Sequence, residues 1–214
     1  MDKNPKVISF SDVFASSQRA GVTLAIVMVV VFRLIGPLLG PEGVKLANIA
    51  PLSAIVVASA LYLPRRAALW VPCGALFVST LAVNAVRGVP IVDPYVAAAL
   101  LAFAVQFGLG LLARGTRQPA VAYVTMVGSS LAFFVLTNTF SFMFDPAYPK
   151  NFGGWLQSMT VGVPGYPPTW AFFLRSLAGD LAFFSLFVLV CHPFAWRTRK
   201  AASVTPARPV TLSA

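Results

Sequence analysis

Apolar runs long enough to cross a bilayer recur along almost the whole chain, and charged residues fall mainly between them. A helix needs about 20 mostly apolar residues to span a hydrocarbon core. The runs are continuous and rich in Ala, Leu and Gly. Barrel strands would instead alternate polar and apolar residues, so the pattern selects helices. Composition leaves no soluble alternative. Of 214 residues, 58% are hydrophobic and 10% charged, with a mean hydropathy of +0.81. An average soluble domain has roughly 45–50% apolar and about 25% charged residues. A globule of this size could not hide so much apolar surface, and disorder requires low hydrophobicity. The reading is an all-α integral membrane bundle of six transmembrane helices.

Pro, Gly and charge bound the runs at Ala20–Leu39, Asn48–Leu63, Ala67–Val86, Pro94–Ala113, Ala120–Phe144 and Thr169–Cys191. Residues 1–19 form a polar N-terminal segment. The run Val22–Phe32 lacks a small-residue cleavage site after it, so it reads as a retained first span rather than a signal peptide. Residues 192–214 are basic, then rich in Pro, Ala and Thr, and read as a disordered tail.

Positive charge sets the orientation. With the N-terminus in the cytoplasm, that side collects Lys3, Lys6, Arg19, Arg65, Arg66, Arg114, Arg117, Arg197, Arg199, Lys200 and Arg208. The outer loops hold Lys45, Arg87 and Lys150, nearly matched by Glu42, Asp93 and Asp145. Both termini are then cytoplasmic, in a multi-pass protein of the inner membrane. The net charge of +10 is thereby a topology signal. It makes no coherent basic face of the kind nucleic acid requires.

The outer connection from Asp145 to Pro168 is long and aromatic. Two readings stand side by side. Asn151–Val163 forms a short helix at the membrane surface anchored by Trp155, or the segment is a lid over an outer cavity, with Tyr148, Trp155 and Tyr166 as its aromatic contacts.

Ionisable groups inside a bilayer are costly and therefore functional candidates. Here they are Arg33, Arg175 and Asp180. The arginines lie near the outer ends of their helices, within snorkelling reach of the interface. Asp180 lies roughly 16 Å into the last span, near the midplane, at 1.5 Å per residue. It must be protonated, paired or facing a wet cavity. Arg175 is about 140° away around the same helix, so a partner should come from another helix; Arg33, Asn84, Ser129 and Ser130 are the candidates. An Arg33–Asp180 pair could equally be a structural lock. Asn48 at the outer end of the second span, Asn84, and Asn138 beside Thr137 and Thr139 add amides to the outer half. Together Arg33, Asn48, Asn84, Asn138, Arg175 and Asp180 read as the lining of a pocket open to the outside, suited to a ligand with anionic or carbonyl groups.

Other motifs carry less. Gly108-x-Gly110-x-x-Ala113 has dinucleotide-fingerprint spacing but lies inside an apolar run, where small residues serve helix packing. No phosphate loop, HExxH or serine elbow is present, Cys73 and Cys191 form no CxxC, and no metal cluster or cofactor site is evident. Small residues recur at spacing four in Gly21–Ala25 and in Ala50–Ala54–Ala58, serving packing within the chain or contact with a partner.

The order of Arg33-Leu34-Ile35-Gly36-Pro37, Asn48-Ile49-Ala50-Pro51-Leu52-Ser53-Ala54-Ile55, Tyr62-Leu63-Pro64-Arg65-Arg66, Gly128-Ser129-Ser130-Leu131-Ala132-Phe133-Phe134, Thr137-Asn138, Tyr148-Pro149 and Leu177-Ala178-Gly179-Asp180-Leu181 resembles an uncharacterised family of bacterial six-span membrane proteins. That family is similar to the substrate-binding S components of energy-coupling factor (ECF) vitamin transporters. The resemblance implies capture of a small nutrient in an outer pocket under a loop. It also implies docking on a separate transmembrane coupling protein driven by ATPases. S components dock through an Ala-x-x-x-Ala stripe in the first span; here Gly21-x-x-x-Ala25 is a variant of it. The expected function is a non-enzymatic substrate-binding membrane subunit. A non-catalytic membrane scaffold in envelope assembly is the alternative, and an intramembrane enzyme built on Asp180 lacks an evident partner.

Overall fold

A computed structural model of the chain describes residues 20–28, 31–32, 51–87, 94–116 and 118–203, with side chains described at all of these except 79–80, 82–87, 94–95 and 192–203. Among the described residues the fold is all helical. Helix α1 covers 20–28, followed by α2 (Leu52–Tyr62), α3 (Arg65–Arg87), α4 (Pro94–Leu112), α5 (Pro119–Phe144), a short α6 (Phe152–Met159) and α7 (Thr169–Ser203).

The shortest long-run segment is the centre of the bundle. Helix α2 has 11 residues, and every one from Leu52 to Leu61 is buried. A helix that is apolar on all sides has no solvent face to present, and α2 accordingly packs against α3, α4, α5 and α7. Its core partners include Ala25 and Met28 of α1, Met126 of α5, and Phe184 and Phe187 of α7. Small residues let the backbones approach. A Cβ on Gly110 would lie 2.7 Å from the Ala60 Cβ, so α4 meets α2 where only a glycine fits. This accounts for one glycine of the fingerprint-like motif; Gly108 faces open space.

Polar side chains finish the helix ends. Arg114 donates from Nη1 to the Ala60 carbonyl at 2.8 Å and from Nη2 to that of Leu63. It thereby satisfies carbonyls at the C-terminus of α2, where a cation is favoured. Lys150 does the same for α5, donating to the carbonyls of Phe142 and Asp145. Pro119 occupies the start of α5, a position where its missing N–H costs nothing.

Among the described residues two helices, Pro119–Phe144 and the Thr169–Cys191 part of α7, are long and apolar enough to cross a membrane. This corrects the expectation of six such spans. At 11 residues α2 is roughly 16 Å long at 1.5 Å per residue, too short for a hydrocarbon core. Helix α3 carries Arg65, Arg66 and Arg87 at its ends, and Val96–Leu112 is an apolar helix of less than spanning length. Residues 29–30 and 33–39 of the first run and 48–50 of the second lie outside the described residues. A second correction concerns the tail. Helix α7 continues past Cys191 and His192 to Ser203, so the stretch expected to be disordered from residue 192 is helical for its first part.

Candidate functional site

The polar groups that meet inside the bundle come from α2, α4, α5 and α7. Asp180 is 2% exposed, and its Oδ2 accepts a hydrogen bond of 2.6 Å from the Ser130 hydroxyl of α5. Ser130 is among the four candidate partners that the sequence offers. Among the described residues Asp180 makes no ion pair, and Arg175 is exposed on the outer part of α7. Arg33 lies outside the described residues. Its neighbour Phe32 stacks edge-on against Phe183 at 4.7 Å, so the first and last long runs are adjacent, as a pairing between them would require.

One residue along α5 the network turns towards α4. Gln106 is fully buried and donates from Nε2 to the Ser129 carbonyl at 3.1 Å. Its Oε1 has no hydrogen-bond partner among the described residues, and the same holds for the hydroxyl oxygens of Ser129 and Ser59. Buried polar atoms are almost always paired, so an orphan calls for an explanation such as water or a ligand. Counted at 1.5 Å per residue, Gln106, Ser130 and Asp180 each lie roughly 16–18 Å along their helices. They form a belt at mid-height. One turn further along α7, Tyr123 and Ser185 share a hydrogen bond of 2.9 Å. The Ser185 proton goes to the Leu181 carbonyl at 2.7 Å, so the tyrosine hydroxyl is the donor.

The outer half is arranged differently from the expected pocket. Asn138 donates from Nδ2 to the Phe134 carbonyl, Thr137 to that of Phe133, and Ser141 to that of Thr137. Each bond returns to the residue's own helix, which is how a polar side chain is tolerated in an apolar setting. Asn138, Arg175 and Asp180 are therefore not drawn together among the described residues. Asn48 lies outside them, and nothing is described for the Asn84 side chain.

The outer connection is a built structure. Asn151 caps α6, its side chain accepting from Gly154 N at 2.9 Å, as an N-cap asparagine does. Gly154 sits so close to Pro149 that a Cβ would fall 1.9 Å from the Pro149 carbonyl oxygen. Trp155 donates from Nε1 to Thr139 Oγ1 at 3.1 Å, pinning α6 to α5. Tyr148 is buried, whereas Tyr166 is 74% exposed. Of the three aromatic residues expected in a lid, Trp155 is hydrogen-bonded to α5, Tyr148 is buried and Tyr166 is exposed. Phe152 and Leu156 of α6 and the following Val161 are exposed.

The small-residue stripes are interior. Ala25, Ala54 and Ala58 are buried, and a Cβ on Gly21 would lie 3.0 Å from Cys191 Sγ and 3.3 Å from Leu63. They pack the chain against itself; Ala50 lies outside the described residues. Gln106 and Ser59 were not singled out from the sequence. Gln106 stands between Val105 and Phe107 in the middle of an apolar run, a signal carried by an uncharged side chain. Among the described residues no cluster of three His, Cys, Asp or Glu could hold a metal.

Comparison with known families gives one match. The model of a family of unknown function, DUF6580, matches residues 15–202, and the chain belongs to that family. No curated protein matches the chain, and no solved structure does.

Proposed function

We propose that this DUF6580 protein is a membrane subunit, with both termini cytoplasmic, that binds a small polar solute for uptake. The observation that carries the reading is the belt of Asp180, Ser130, Ser129 and Gln106. It holds a carboxylate without an ion pair and two side-chain oxygens without donors, all described as buried. Such groups are expensive in an apolar interior unless something answers them. A solute carrying N–H or O–H donors would answer such groups.

The membrane setting is supported by how little of the two longest apolar helices is covered. Only 22% of the apolar window in each is buried. A soluble protein's core helix of such composition would be buried on most sides. The distribution of arginines supports the orientation, with Arg65, Arg66 and Arg114 at one end of the bundle and the α6 segment at the other.

The likeness to ECF S components remains part of the same proposal, with transport energised by separate ATPases through a coupling protein. Burial of Gly21 and Ala25 argues that docking would use another face. The scaffold reading is favoured by one observation, the failure of Asn138, Arg175 and Asp180 to converge. A thermal-shift screen of the purified chain against polar metabolites separates the two. Binding predicts stabilisation by one solute class, lost in Gln106→Leu and Asp180→Asn variants that still fold. A scaffold predicts no stabilising solute.

A further inference from the structure

Helix α3 packs chiefly on α2, and beside this contact the bundle is open between α2, α3 and α4. Two adjoining cavities occupy the opening, of about 210 Å³ and about 440 Å³, and both have Leu69 and Phe107 in their walls. They form one continuous groove with two chemically distinct ends. The smaller end is apolar, walled by Leu52 and Val56 of α2, Pro72 and Cys73 of α3, and Leu100 and Phe103 of α4. The larger end is walled by Arg65 and Arg114 together with Ala68 and Leu111. Among the described residues no acidic side chain lines either end.

The two guanidinium groups are placed for an anion. Arg114 is held by the Ala60 and Leu63 carbonyls, which fix its position without neutralising its charge. Arg65 is exposed and stands in the first turn of α3, which contains no acidic residue. A cation there is opposed by the helix dipole, and an anion between Arg65 and Arg114 relieves that opposition. A free soluble anion would use only this end and leave the apolar slot unfilled. An amphiphile with an anionic head uses both.

We propose that the groove binds an anionic glycerophospholipid, with an acyl chain along the Leu52–Phe103 slot and the headgroup phosphate between Arg65 and Arg114. Guanidinium groups match phosphate geometry, and basic pockets between spanning helices on the cytoplasmic side suit acidic headgroups. The proposal rests on the membrane reading of the chain and is independent of solute binding at the polar belt.

The test reconstitutes the full chain in vesicles of phosphatidylcholine alone or mixed equally with phosphatidylglycerol, and reads retained lipid by native mass spectrometry. Phosphatidylglycerol is retained over phosphatidylcholine by roughly fivefold or more, the scale of one basic residue at a membrane surface. Arg65→Gln, an exposed position whose change leaves Arg114 holding α2, reduces that preference towards unity. Leu100→Trp fills the slot and lowers retention of both lipids. Cys73 is exposed and lines the slot, so phosphatidylglycerol also slows its alkylation. Equal retention of the two lipids overturns the proposal. So does protection of Cys73 that is unaffected by lipid while inorganic phosphate alone binds the arginines.

Discussion

The Ser130 hydroxyl lies 2.6 Å from Asp180 Oδ2 across the α5–α7 contact, and it is the hydrogen-bond donor to that carboxylate among the described residues. Removing it leaves the buried group short of a donor, which costs about 1–3 kcal/mol. Ser130→Ala should therefore lower the melting temperature in detergent. Asp180→Asn in the same background should recover much of the loss, because an amide is cheaper to bury than a carboxylate. Equal melting of Ser130→Ala and the native chain would show that another group already satisfies Asp180.

Gly154 and Gly153 make a matched pair of tests for the outer segment. A methyl on Gly154 meets the Pro149 carbonyl oxygen at 1.9 Å, whereas on Gly153 it meets only Asn151 Oδ1 at 3.3 Å. Gly154→Ala should detach α6, exposing the 145–168 segment to protease and shifting Trp155 fluorescence. Gly153→Ala should change both readouts far less.

Arg114 supports the central helix through two carbonyls. Arg114→Ala should destabilise the fold by about 1.5–3 kcal/mol, the range for hydrogen bonds to charged groups. Arg66→Ala, at an exposed position, should fall within about 0.5 kcal/mol of the native chain. Thermal melting of the two variants in one detergent makes the comparison.

The same contrast applies at the α2–α4 contact. Gly110→Ala forces a Cβ to 2.7 Å from Ala60, while Gly108→Ala meets nothing within 4 Å. The first should lower the melting temperature clearly. The second should be neutral or mildly stabilising, since alanine favours helix by about 1 kcal/mol over glycine.

Orientation is checked by reporter fusions. A reporter active only in the cytoplasm should be active after Arg66 and after Arg114, and inactive within Phe152–Met159. The reverse pattern would invert the topology.

Reading the chain alone placed the helices well because their limits are written in chemistry. Pro119 and Asp145 bracket α5, within a residue of the expected Ala120–Phe144. The limits of that reading are also chemical. Leu52–Tyr62 looks like a span in sequence, yet its apolarity on every side reflects burial at the bundle centre rather than lipid contact. The stretch from residue 192 read as a disordered tail, but α7 runs on to Ser203. At the site, Asp180 was legible from its depth alone. Asn138 returns its hydrogen bond to Phe134, a local choice that no spacing reveals. Gln106 gained its role only through the approach of α4 to Ser129.

The central claim is that the mid-bundle belt holds a solute, and native mass spectrometry after gentle extraction from the source membrane tests it most directly. The account predicts a small-molecule mass that is lost on activation and is absent from Asp180→Asn and Gln106→Leu variants that remain folded. A chain carrying lipid adducts alone, identical in mass profile to those variants, would contradict it.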